Sequence, residues 1–101
     1  MDMGSMMRQA RKMQSEMETA QTELAAKQYT RTAGGGAVEA TVSGKMQLVS
    51  LKIDPEAVDP SDVDMLQDMV MVAVNGALTD AQTATQQRME SIAGGLNIPG
   101  M

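Results

Sequence analysis

The sequence predicts an α+β fold, an α-β-β-β-α chain with a three-stranded antiparallel meander between two long helices. Three observations predict it. Apolar residues recur at coiled-coil spacing through residues 1–28, alternate singly through residues 29–54, and crowd nearly every side of residues 60–78 within a longer segment ending near 93. These are the patterns of a seam-forming helix, half-buried strands, and a helix covered on more than one side. At 101 residues the chain has the size of one small domain.

Residues 3–28 hold no proline and no glycine after Gly4, and consist mostly of Met, Gln, Glu, Lys, Arg and Ala, all good helix formers. The apolar positions Met3, Met6, Ala10, Met13, Met17, Ala20 and Leu24 step by 3, 4, 3, 4, 3 and 4, the spacing of a coiled-coil seam. So narrow a stripe packs against one other helix. Lys12 and Glu16 stand at i,i+4 on its flank, in the weaker base-first order.

The period then changes. Residues 29–32 (Tyr-Thr-Arg-Thr) suit a strand, and Gly34-Gly35-Gly36 breaks it. Val38, Ala40 and Val42 alternate with Glu39, Thr41 and Ser43; after a turn at Gly44-Lys45, Val49, Leu51 and Ile53 alternate with Leu48, Ser50 and Lys52. Each run reads as a strand with one apolar face. Asp54-Pro55 ends the sheet, because proline cannot continue a central ladder. Asp59 suits the N-cap of the last helix and Pro60 its first position, with Asp62 and Asp64 facing the positive end of the helix dipole. From Val63 to Leu78 that helix is apolar nearly all round, from Thr79 to Ser91 it is polar, and Gly94-Gly95 stops it ahead of a tail over residues 94–101.

Helix lengths of about 39 and 48 Å exceed the roughly 35 Å diameter of a compact chain this size. The outer parts of both helices are therefore expected to pair as an arm. The all-round apolar stretch needs its own sheet and a second cover, for which a second copy is the simplest source. Val70, Ala73, Val74 and Ala77 are expected at that dimer contact. Of the methionines, Met13, Met17, Met65 and Met69 are expected in core or interface packing, whereas Met71 and Met89 fall off the main stripes, exposed or at the contact.

Composition narrows the chemistry. The chain has no Cys, His, Phe or Trp, one aromatic (Tyr29), and 12 methionines. Disulfides, thiolate catalysis, Cys/His zinc sites and imidazole acid–base work are excluded, as is an aromatic stacking platform for single strands. No apolar run approaches the roughly 18 residues of a membrane span, and the first residues do not read as a secretory signal. The expectation is a cytoplasmic protein that is not an enzyme, with no metal, cofactor, small-molecule substrate or membrane partner.

Two local patterns invite chemistry and decline it. Residues 54–65 carry carboxylates, but Asp59 stands where a calcium loop needs glycine and Met65 where it needs glutamate; turn and cap roles fit better. Gly34-Gly35-Gly36 lacks the Lys-Ser/Thr ending of a phosphate loop and leads into a strand, not a helix.

The net charge of −5 is uneven. Residues 1–31 hold five bases against four acids, and residues 32–101 three bases against nine acids. A polyanion must therefore meet a local patch. Arg8, Arg11 and Lys12, at i, i+3 and i+4, share one side of the first helix. They form either a solvated flank or a phosphate-contacting patch that two-fold symmetry would double.

Met-Met-Arg-Gln-Ala-Arg-Lys-Met-Gln at 6–14, Gly-Gly-Gly-Ala-Val-Glu-Ala-Thr-Val-Ser-Gly at 34–44, Leu-Lys-Ile-Asp-Pro at 51–55, Val-Asp-Pro at 58–60, Leu-Gln-Asp at 66–68 and Gly-Leu-Asn-Ile-Pro-Gly at 95–100 follow one another in order. Together they resemble the YbaB/EbfC family of bacterial nucleoid-associated proteins. The resemblance implies a tweezer-like homodimer whose helical arms embrace double-stranded DNA with little sequence preference, organising the nucleoid and influencing expression, without enzymatic activity. Carried over by position, DNA contact falls to Arg8, Arg11 and Lys12 on the first helix and Arg88 on the last. The last helix departs from a basic arm, offering only Arg88 beside Asp80 and Glu90, which implies weak, salt-sensitive, multivalent binding. A dimeric adaptor whose arms clasp a partner protein is the alternative, favoured by the acidic balance and the Met-rich seam.

Overall fold

A computed structural model describes residues 2–94; the tail expected at 94–101 lies outside the described residues beyond Gly94. The order is α1 (Met3–Ala26), β1 (Gln28–Ala33), β2 (Val38–Ser43), β3 (Leu48–Ile53) and α2 (Val63–Gly94), with single 3-10 turns at Gly34–Gly36 and Pro55–Ala57. The three strands form one antiparallel sheet in the order β1-β2-β3. The fold is α+β, as the periodicities require.

β2 is the central strand, and its Val38, Ala40 and Val42 are fully buried. α2 meets them with Ala73, Ala77 and Ala81, also fully buried. Alanines at i, i+4 and i+8 make a flat ridge, so the helix axis lies close to the sheet. Ala73 packs with Val38 and Ala40, while Ala77 and Ala81 pack with Val42 and Tyr29. Ala73 and Ala77, expected at a dimer contact, are thus packed on the chain's own sheet. Val70 and Val74 are half-buried at the edge of the same cluster.

α2 lies over β1 and β2 and leaves β3 largely uncovered. Leu51 pairs with Ala40 and Leu48 with Val42, on the helix-facing side, yet they are 40% and 47% exposed. A one-residue slip between Thr41 and Val42 is what sets Leu48, rather than Val49, opposite Val42. Beside α2, Ile53, Leu66, Gln67, Val70 and Met71 line an open, mainly apolar trough of about 420 Å³. Met65 and Met71 are exposed, and Met69 and Met89 half-buried.

α2 begins three residues later than Asp59 and Pro60 suggest. Asp59 Oδ1 accepts from Ser61 N (2.9 Å) and Oγ (2.6 Å), and Asp62 N donates to Asp59 O at 2.9 Å. These bonds close a turn, and Asp62 becomes the cap, accepting from Met65 N at 3.2 Å.

The long outer parts of the helices pair antiparallel. Glu23 of α1 meets Arg88 of α2, and Glu16, further toward the start of α1, faces Ser91 and Ile92. Ala20 and Leu24 of the seam are buried there, and Met13 and Met17 half-buried. The molecule measures 70 × 26 × 16 Å with a radius of gyration of 19.9 Å, against about 13 Å for a compact chain of this length. The helices overrun the sheet and form an arm.

The phenol oxygen of Tyr29 is buried and has no hydrogen-bond partner among the described residues. Removing a buried, unpaired hydroxyl while keeping the ring relieves a desolvation cost. Tyr29→Phe is therefore expected to hold or raise stability, by up to about 1 kcal/mol. A urea midpoint clearly below that of the parent would show that the hydroxyl is bonded after all.

Candidate nucleic-acid interface

α1 presents its cations at one end of the arm. Asp2 caps the helix, its carboxylate accepting from Ser5 N at 2.6 Å. Arg8 folds back over this first turn, its Nη2 donating to Ser5 Oγ at 3.1 Å and its guanidinium lying beside Gly4. Arg11 and Lys12 are exposed one turn on. At 100° per residue, Arg8 and Arg11 each stand about 150° around the helix from the centre of the seam that α2 covers, with Lys12 to one side at about 110°. Exposed Ser15, Thr19 and Thr22 continue this outward face. Among the described residues, Arg8, Arg11 and Lys12 form no ion pair, whereas two other arginines do.

Arg88 stands apart from these three. Its Nη2 lies 3.6 Å from Glu23 Oε2, and Glu23 is 11 residues, or about 16 Å, along α1 from Lys12. The pair is exposed and weak, but any phosphate reaching Arg88 also meets the carboxylates of Glu23 and Glu16. With Glu16, Ser91 and Ile92, Arg88 lines a shallow cleft of about 320 Å³ between the arm helices. The structure thus brings together three of the four expected contact residues and separates the fourth.

The strongly engaged base is Arg31, which sequence reasoning passed over. Its Nε and Nη2 donate to the two oxygens of Asp80 at 2.6 and 2.9 Å, the two-point geometry that suits guanidinium and carboxylate. The hydrogen bonds from Arg31 hold the Asp80 carboxyl below its usual range, and those to Asp80 raise the arginine. Gly76 makes room for it: a Cβ there would lie 3.3 Å from Arg31 Cγ. The partners are 49 residues apart, so no local pattern announces them; the only signal is a glycine inside an apolar helix, one turn before an aspartate. Lys52 sits opposite Glu39 in the sheet register.

The carboxylate stretch serves the main chain. Asp54 accepts from Glu56 N at 3.0 Å, and Asp59 and Asp62 act as described. The hydrogen bonds from Ser61 hold the Asp59 carboxyl below its ordinary value. Among the described residues no three His, Cys, Asp or Glu side chains are grouped to hold a metal, and no helix is long and apolar enough to cross a membrane.

Comparison with known proteins agrees with the resemblance. The profile of the YbaB/EbfC DNA-binding family matches residues 1–96. A nucleoid-associated protein of Clostridium kluyveri is 51% identical over 100 residues, covering 99% of this chain and 88% of that protein. One from Clostridium acetobutylicum is 50% identical, covering 99% and 89%. Among solved structures, an uncharacterized protein of Helicobacter pylori superposes with a TM-score of 0.65 at 23% identity, over 77% of this chain and 90% of that one, which establishes the common fold. Matched along nearly its whole length by one profile, and half identical to the clostridial proteins, this chain belongs to the YbaB/EbfC DNA-binding family.

Proposed function

We propose that the chain acts as a homodimer that grips duplex DNA through the cationic ends of its α1 arms, with little sequence preference, as a nucleoid-associated protein of the cytoplasm. The observation that carries this reading is the trio Arg8, Arg11 and Lys12: exposed, clustered at the arm tip, turned away from α2 and free of ion pairs among the described residues. Contact with phosphate rather than base edges suits them, because phosphate contacts position a protein without reading sequence. Family membership and the clostridial names support DNA as the partner and the nucleoid as the place.

A second copy suits the uncovered side of the body. β3 is an edge strand; its exposed Leu51 stands two residues before Ile53 of the apolar trough beside α2, and Leu48 is exposed further along the same strand. A two-fold partner laying its own β3 and α2 there would cover both features and double the arms. Val70 and Met71 then take the place that Ala73 and Ala77 cannot.

Three cations per protomer give about six phosphate contacts per dimer and a slope of log K against log salt near −5. Anisotropy titrations of a generic duplex at 50, 100 and 200 mM salt read that slope directly. The Arg8→Ala/Arg11→Ala variant is expected to keep its oligomeric state and to cut the slope by about 4, since it removes four of the six contacts. Absent binding at 50 mM, indifference to salt, or unchanged affinity in the double variant would reject the reading.

A further inference from the structure

We propose that Lys27 and Lys45 form a second phosphate-binding site at the root of the arm, so that one duplex is held both at the tip of α1 and where α1 meets the sheet; this rests on the DNA-binding reading above. The chain has eight bases. Arg31 and Arg88 are paired with Asp80 and Glu23, Lys52 sits opposite Glu39 in the sheet register, and Arg8, Arg11 and Lys12 stand at the tip. That leaves Lys27 and Lys45. Both are exposed, and among the described residues neither forms an ion pair. Glu23, four residues before Lys27, is turned to Arg88.

The main chain brings the two lysines together from distant points of the sequence. Gly44 N donates to Lys27 O at 3.0 Å, and Lys45 follows directly in the β2–β3 turn. That turn is locked: Ser43 N donates to Gln47 O at 2.8 Å, Met46 N to Ser43 O at 2.9 Å, and Lys45 N to Ser43 Oγ at 3.2 Å. Met46 holds a left-handed φ of 62°, a strained conformation for a side chain of its size. Its packing with Val42, Ala77 and Ala81 offsets that strain and fixes the turn. Lys45 therefore leaves a rigid main chain, and its ammonium is a compact charge of the kind that binds phosphate. Exposed Gln28 and Gln47 flank the pair at the neighbouring strand ends. The way from the tip is open to a polyanion. Within about 35° of the line opposite the seam, α1 carries Arg8, Arg11, Ser15, Thr22 and Ala26 and no carboxylate. Lys27 lies about 22 Å along the helix from Lys12, a span that a duplex covers in about seven base pairs.

The test uses the full chain and a generic duplex of about 25 base pairs, titrated at 50, 100 and 200 mM salt. Two root cations beside three at the tip make up two-fifths of the contacts, whether one protomer or two bind. In a dimer they steepen the slope of log K against log salt from about −5 to about −9. Lys27→Gln/Lys45→Gln is expected to lose those two-fifths of the parent's slope and to bind at least about tenfold more weakly at 50 mM salt. Lys27→Arg/Lys45→Arg is expected to keep the parent's slope, because the charge is retained. Lys52→Gln, which removes a base opposite a carboxylate, is expected to change the slope by less than about 1. A base at the C-terminal end of α1 also complements the helix dipole. That structural role would lower the melting temperature without moving the slope, so melting is followed for each variant. A Gln variant with the parent's slope, or a loss that Lys52→Gln matches or that the Arg variant shares, overturns the root site while leaving DNA binding at the tip standing. A parent that does not bind DNA at all overturns both.

Discussion

Gly44→Ala is expected to lower the melting temperature by about 12 °C or more, the largest loss from a single methyl group at any of the described glycines. A Cβ at Gly44 falls on the carbonyl of Leu24 and 3.0 Å from Ala25 N, and both are main chain. A side chain could rotate away; the last turn of α1 cannot. Gly44 N also donates to Lys27 O at 3.0 Å, so moving apart breaks the bond that docks the end of α1 on the β2–β3 turn. Overpacking that flexible side chains absorb costs about 1–3 kcal/mol. Against backbone the upper end or more is expected, and about 3 kcal/mol corresponds to 12 °C or more in a domain this small. Gly35→Ala is the control. Gly35 has φ 68°, but a Cβ there meets nothing within 4 Å, so only the left-handed penalty of about 1–2 kcal/mol applies. Melting followed at 222 nm distinguishes them: the Gly44 variant must lose clearly more than the Gly35 variant, or α1 does not sit on this turn.

Gly44 also marks where reading a sequence reaches its end. Its neighbours Lys45 and Met46 make it look like an ordinary turn glycine, and the contact that demands glycine comes from Leu24, twenty residues earlier. Local period carried the rest of the fold well. The 3-4 spacing of α1, the alternation of Val38, Ala40 and Val42, and the Asp54-Pro55 stop each follow from the geometry of one element. What periodicity cannot say is what covers an apolar position. Ala73 and Ala77 look alike whether their own sheet or another copy lies over them, and the seam of α1 does not reveal that α2 covers only its second half. Asp59 reads as the cap from its place before Pro60, but its local bonds with Ser61 and Asp62 close a turn, and Asp62 starts the helix instead. At the candidate interface the cluster of Arg8, Arg11 and Lys12 was legible because helix spacing alone makes it. The engagement of Arg88 with Glu23 was not, because it depends on the register between two helices.

Leu51→Glu is expected to convert the protein to a monomer and to weaken DNA binding with it. Leu51 stands on the helix-facing side of β3, next to the trough of Ile53, Leu66, Val70 and Met71. In one chain it is 40% exposed, so a glutamate there reaches water and the protomer keeps its fold. Under a second copy the same carboxylate is buried without a partner, a penalty of several kcal/mol for each of two symmetric sites. Light scattering should then fall from about twice 10.7 kDa to 10.7 kDa at micromolar concentration, with circular dichroism unchanged. Met71→Glu, across the trough, should act alike; a variant that stays dimeric places the contact elsewhere, and a monomeric parent removes the dimer altogether. The DNA consequence separates the dimer from a mere aggregate. Six phosphate contacts weaken binding by about 10³ between 50 and 200 mM salt, whereas the three of a lone protomer weaken it by only about 40-fold. The Leu51 variant should therefore bind less tightly at 50 mM yet lose less on raising the salt. A misfolded protein would lose affinity and slope as well, so it is the unchanged circular dichroism, together with a slope halved rather than abolished, that assigns the pair of effects to a lone, folded protomer.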